Sequence, residues 1–254
     1  MLRIPLFIFI SLILCGCATT YNPATGRYEY IFINSATETA LGRSVQQELL
    51  KKKSLSKDIN LNIRVENLGR RLAQVAERKD IEYKFYVLED KELNAMTLPG
   101  GFIYVNSALV KILDDDELAY VLGHEIGHAV GRHIVKKLQA NMAYQLILGI
   151  AALSLGEKTQ GATTQTALQG IDIIFNLISL GYSRQDEYEA DRLGVKYAYQ
   201  ASFNPYRALD ALEKIKKEEG PNWKILGYFR SHPYADERIN ALKKYIPELI
   251  TQKQ

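Results

Sequence analysis

Along most of the chain, apolar side chains recur every three or four positions, the mark of helices with one buried side. Leu41, Val45, Leu49 and Leu50 share one side of a segment from about Thr37 to Lys53. Leu61, Val65, Leu68, Leu72 and Val75 do the same between about Asn60 and Arg78. The period then shortens to two. Tyr83, Phe85 and Val87 alternate with Glu82, Lys84 and Tyr86, which predicts a strand with one buried face. Leu98-Pro99-Gly100-Gly101 reads as a turn, and Phe102 to Val105 as a second strand. From Asp114 the helical spacing returns. Its acidic opening, Asp114 to Glu117, suits the positive end of a helix expected to run to about Leu138. Further helices are expected from Ser183 past Tyr199, from Asn204-Pro205, and from about Ala235 to Tyr245. The expected fold class is mainly α with a small β-sheet (α+β).

Two apolar stretches, Met142 to Leu155 and Ile171 to Leu180, flank the polar run Gly156 to Thr166. Both fall below the ~20 residues that a helix needs to cross a bilayer. They predict a buried helical insertion, about residues 140–181, with the polar run at its tip and the hairpin over the cleft as a lid.

The N-terminus has a different character. Arg3 precedes an apolar run from Ile4 to Leu14, too short for a comfortable span and typical of a secretory signal. Leu14-Cys15-Gly16-Cys17 resembles the lipobox of bacterial lipoproteins. That resemblance implies cleavage before Cys17, lipidation of Cys17, and, with Ala18 next, sorting to the outer membrane. The expected organisation is a signal peptide over 1–16, a lipidated tether over 17–36, and one domain over 37–254. Cys15 and Cys17 are the only cysteines, so no disulfide framework exists. With 32 basic against 29 acidic residues, the net charge of +3 carries no nucleic-acid footprint.

The candidate chemistry is concentrated in His124-Glu125-Ile126-Gly127-His128. Residues four apart on a helix lie about 40° apart around its axis, so both imidazoles face one point. They can hold one divalent ion at about 2.0–2.1 Å. Glu125 flanks the same face and can take a proton from a water on the ion, the arrangement of H-E-x-x-H metallopeptidases. Leu118, Val121, Leu122, Ile126, Ala129 and Val130 make this helix internal, and buried His and Glu need partners. Gly127 weakens the helix, and room for substrate or for a neighbouring helix would account for it. His133 lies nine residues after His124, about 180° round the helix, so it cannot join the same site if the helix stays regular, and it reads as a structural or surface histidine.

A zinc enzyme needs a third protein ligand and an open position. Candidates lie in Asp186-Glu187-Tyr188-Glu189-Ala190-Asp191. Glu187 and Asp191 share a helix face, with the small residues Ala190, Gly194 and Ala198 beside them permitting close packing. One could bind metal while the other accepts the free N–H of a ligand His. Spacing does not say which, nor exclude Asp186 or Glu189.

Four segments together resemble the gluzincin metallopeptidases that include HtpX, the CAAX prenyl protease and mitochondrial Oma, in particular the periplasmic LoiP- or BepA-like branch. They are Asn94 to Gly101, His124 to His128, Glu187 to Asp191, and Ser231-His232-Pro233 with Arg238. The resemblance implies a zincin-type domain with one Zn2+ per chain held by His124, His128 and Glu187, and Glu125 as general base. It implies that Asp191 orients a ligand His, that His232 acts beside the metal, and that Arg238 supports the site. It also implies an edge strand for extended substrate at Gly100, Gly101, Phe102, Ile103 and Tyr104. The implied activity is a zinc endopeptidase, lipid-anchored on the periplasmic face of the outer membrane, cleaving misfolded or unassembled envelope proteins and working beside outer-membrane assembly machinery. The alternative is a zinc-stabilised chaperone or assembly factor with minor proteolysis.

Overall fold

The computed structural model describes residues 19–154, 173–222 and 227–251. Cys17 and the signal segment, and the Gly156–Thr166 tip of the expected hairpin, lie outside the described residues.

The chain opens with a hairpin, β1 (Thr19–Asn22) against β2 (Arg27–Tyr30). The segment expected as a tether along the domain surface is this hairpin, and it is fastened to the body. Asn22 donates to the carbonyl of Val130 at 2.9 Å, and Lys136 pairs with Glu29 at 2.7 Å. Two helices follow, α1 (Ser35–Lys52) and α2 (Ile59–Val75). Asp58 caps α2 by accepting from the N–H groups of Asn60 and Leu61. The expected apolar stripe is its buried side, through Val65, Leu68 and Leu72.

Next comes a three-stranded sheet of β3 (Lys84–Leu88), β4 (Ala95–Leu98) and β5 (Phe102–Asn106), in the order β3-β5-β4. β5 runs parallel to β3 and antiparallel to β4. This corrects one expectation. Phe102, Ile103 and Tyr104 lie on the central strand, buried on both faces, and Gly100 and Gly101 sit in the turn before it. The edge is β4. Phe102 to Val105 is a continuous apolar run, and such runs belong to strands covered on both sides.

A short helix, α3 (Ser107–Ile112), leads to α4 (Asp115–Val130). Asp114 and Glu117 form a reciprocal capping box at its start. The helix expected to reach Leu138 instead ends at Gly131. Arg132 adopts φ +52°, and α5 (His133–Ser154) sets off in a new direction. Residues 173–179 form α6. They are followed by α7 (Arg184–Gln200), α8 (Arg207–Glu219), α9 (Gly227–Ser231) and α10 (Ala235–Thr251).

The architecture is the expected α+β arrangement. One apolar core lies around α4, between α2, α7, α8, α10 and the sheet; a second joins α1, the other face of the sheet, α5 and α6. Among the described residues, no helix is long and apolar enough to cross a membrane.

Candidate metal centre

The centre lies where α4 crosses α7, and small residues make that crossing close. A Cβ added to Gly127 would lie 2.9 Å from the Ala190 carbonyl oxygen, and one on Gly123 would lie 2.8 Å from that of Gly194. The role of Gly127 is thus to admit the neighbouring helix. At this separation Glu187 and Asp191 on α7 reach His124 and His128 on α4. A second capping box, Ser183 with Asp186, starts α7 just before them.

Four buried side chains converge: His124, His128, Glu187 and His232, each offering one ligand atom within 4.8 Å of the others. His124 Nε2 and His128 Nε2 are 2.9 Å apart. Glu187 approaches them at 3.6 and 3.5 Å. His232, brought in by α9, puts Nδ1 3.2 Å from His124 Nε2 and 3.3 Å from Glu187 Oε1. Its Nε2 faces Glu125 Oε1 at 3.4 Å and the Ala95 carbonyl of β4 at 3.3 Å.

The surroundings hold these groups in place. Asp191 accepts at 2.8 Å from His124 Nδ1 and at 2.7 Å from the Tyr120 hydroxyl. Arg238, fully buried, donates from Nε and Nη2 to the two oxygens of Asp191 at 2.9 and 2.7 Å. Its Nη1 lies 2.8 Å from Glu187 Oε2 and donates to the His232 carbonyl at 3.0 Å. Thr97 on β4 donates to Glu125 Oε2 at 2.7 Å. Tyr182 stacks on His128 and Tyr228 on His232, with centroids 3.8 and 4.6 Å apart.

The electrostatics favour ionised Glu187 and Asp191 beside a neutral His128. Burial opposes the charge on Glu187 and Asp191, but the Arg238 guanidinium outweighs it. Glu187 is held well below the usual carboxylate range and Asp191 is held down at about 2. Burial lowers His128 to about 3. Burial also opposes the charge on His232, but Glu125 and Glu187 beside it raise its pKa.

Two buried histidines with Nε2 atoms facing each other and a carboxylate form an arrangement that a cation between them would satisfy. Glu125 Oε1 accepts no hydrogen bond, and neither does Glu187 Oε2, whose neighbour is the Arg238 charge. A donor set of imidazole nitrogen and carboxylate oxygen suits a divalent transition metal such as zinc.

The expected site residues His124, Glu125, His128, Glu187, Asp191, His232 and Arg238 are brought together here. Gly100 to Tyr104 are not among them; Ala95 and Thr97 of β4 stand at the centre instead. His133, which a regular helix would turn away, has its Nδ1 2.7 Å from His128 Nδ1, because the chain bends at Gly131-Arg132. Sequence reasoning also passed over Tyr120, Tyr182 and Tyr228, and gave Thr97, within the Asn94 to Gly101 segment, no role of its own. Tyr120 and Tyr228 precede His124 and His232 by four residues, a spacing that could have marked them.

Comparison with known proteins agrees with this geometry. The model of the peptidase family M48 matches residues 60–246. The mitochondrial metalloendopeptidase OMA1 of Schizosaccharomyces pombe is 27% identical over 92% of the chain and 68% of its own length. The beta-barrel assembly-enhancing protease of Escherichia coli is 26% identical over 80% of the chain, but only 42% of its own length is covered. The metalloprotease YcaL of Escherichia coli is 27% identical over 70% of each chain.

Proposed function

Because the chain belongs to peptidase family M48 and is a metallopeptidase, we propose that it is a zinc endopeptidase acting on unfolded or unassembled proteins of a bacterial envelope. The observation that carries this reading is the buried cluster of His124, His128 and Glu187, with Glu125 beside it and a carboxylate oxygen left free. His124 and His128 through Nε2, and Glu187 through its carboxylate, would hold one zinc ion. Bound there, zinc supplies Lewis acidity, making a water far more acidic and polarising a peptide carbonyl.

The remaining chemistry belongs to the chain's own groups. Glu125 is the general base: Thr97 fixes its Oε2, and the free Oε1 takes the proton of the attacking water. The same oxygen then gives that proton to the departing amine. Asp191 accepts the Nδ1–H of His124 and so directs Nε2 inward. Arg238 keeps Asp191 and Glu187 ionised. His232, held near Glu125 and Glu187, stands where its ring can donate to the oxyanion of the carbonyl under attack.

β4 supplies the place for substrate. Asn94 and Asn106 pair through the backbone, so alternation turns the peptide groups of Ala95 and Thr97 to the free edge. An extended peptide added along that edge is recognised through its main chain, which suits an enzyme that reads unfolded chains of many sequences. His232 contacts the Ala95 carbonyl on this edge and must give way as substrate enters.

The envelope location rests on the signal-like segment and Cys17. The relatives named as assembly-enhancing proteases suggest substrates among outer-membrane proteins awaiting assembly. The test is digestion of casein by wild type and by Glu125→Gln. Cleavage should stop with a chelator, return with zinc, and be absent from Glu125→Gln while that variant still binds zinc. Cleavage by Glu125→Gln at the wild-type rate would overturn the reading.

A further inference from the structure

His128 is the one proposed ligand whose outer nitrogen meets no carboxylate. Its Nε2 faces Glu187 and His124, so Nδ1 points away from the cluster and lies 2.7 Å from Nδ1 of His133. Both rings are buried. At that distance the two nitrogens cannot both carry a proton, so one ring donates and the other accepts. The far nitrogen of His133, Nε2, lies 3.1 Å from Glu189 Oε1, and Glu189 is ion-paired with Arg27 of β2. An ionised carboxylate only accepts, so Nε2 of His133 carries the proton there. A neutral His133 then has a bare Nδ1, and His128 must donate to it.

We propose that His133 is a positioning residue for the metal centre. By accepting the Nδ1–H of His128, it holds that ring in the tautomer whose Nε2 is free to bind the ion. The proposal rests on the reading of His128 as a ligand. The two ligand histidines are thus oriented by different means, His124 directly by the Asp191 carboxylate and His128 through a neutral imidazole backed by Glu189.

The backbone is shaped around this contact. A Cβ on Gly131 would collide with the His133 ring, and the turn at Arg132, φ +52°, brings that ring back against His128. Tyr182 stacks on the other side of His128 and fixes its plane. Asp186 Oδ1 lies 3.8 Å from His133 Nε2, beyond hydrogen-bond reach, while its Oδ2 accepts from the Ser183 hydroxyl and backbone N–H.

Two measurements test the chain of hydrogen bonds. The first is long-range 15N–1H NMR of the histidine rings in the zinc-loaded Glu125→Gln chain. It should find His133 protonated at Nε2 only and His128 protonated at Nδ1. A proton on His133 Nδ1 would overturn the proposal. The second is zinc affinity by chelator competition. His133→Leu removes the acceptor and should weaken binding about 10- to 100-fold, the usual effect of losing a group that orients a ligand. His133→Asn offers an oxygen near the position of Nδ1 and should recover most of that loss. Unchanged affinity in His133→Leu, or equal loss in both variants, would refute it. If His133→Leu does not fold, the NMR result decides. Should His128→Ala bind zinc as tightly as wild type, the ligand assignment itself has failed, an outcome distinct from failure of the His133 role.

Discussion

Arg238 carries more of the centre than any other single side chain. It is fully buried and is the cation shared by Asp191 and Glu187. Removing one partner of a buried ionic group leaves the others uncompensated, which costs about 3–5 kcal/mol. Arg238→Met should therefore lower the stability of the metal-free protein by about that amount in denaturant unfolding. A loss within experimental error would show that water or neighbouring dipoles already satisfy the two acids. His124, Glu125 and His128 were legible in the sequence because a four-residue spacing on a helix is a geometric statement. Glu187 and Asp191 were legible as a pair, but their division of labour was not, since it depends on where Arg238 enters from α10. The reading of His133 as a structural or surface histidine depended on a regular helix, which turns it away; the break at Gly131-Arg132 turns it back against His128. Gly131 was the available signal, as glycine often ends a helix.

Among elements, the pair α4 and α7 sets the distance between ligands. Gly127→Ala would put a methyl 2.9 Å from a backbone oxygen of α7, where no flexible side chain can yield. Overpacking of this kind costs about 1–3 kcal/mol. The expected result is a thermal midpoint well below wild type together with weaker zinc binding, because the helices must part. Weakened stability with unchanged zinc affinity would mean that the centre tolerates the separation. α9 offers a second test. Glu219 accepts from the Tyr228 N–H at 2.6 Å at the start of α9, the helix that leads to His232. Burial raises its carboxyl from the ordinary 4.5 to about 7, against the pull of that N–H. A raised carboxyl pKa favours the protonated folded state. Its stabilisation is therefore fully present below 4.5 and lost as pH rises through about 7. Glu219→Gln mimics the protonated form, so its thermal midpoint should match wild type near pH 4.5 and exceed it at pH 8. A difference independent of pH would refute this. The sheet shows where pattern reading fell short. A four-residue edge strand, Ala95–Leu98, is too short to display a period, whereas the uninterrupted apolar run of β5 already marked a strand covered on both faces.

For the whole molecule, the sequence disclosed a helical domain with one small sheet, and the packing around α4 follows from its apolar circumference. It did not disclose that the N-terminal segment forms a hairpin fastened to α5 and, through Arg27, to α7. Those contacts are ion pairs and single hydrogen bonds between distant segments, which leave no periodic trace. The proposed anchor is tested by metabolic labelling with radioactive palmitate. Wild type should carry label and sediment with membranes, and Cys17→Ser should carry none. The account as a whole turns on where an ion sits. Anomalous diffraction at the zinc edge from crystals of Glu125→Gln should show one peak per chain, about 2.0–2.2 Å from His124 Nε2, His128 Nε2 and a Glu187 oxygen. A zinc-loaded crystal with no peak there, or with the ion bound away from Glu187, would contradict it.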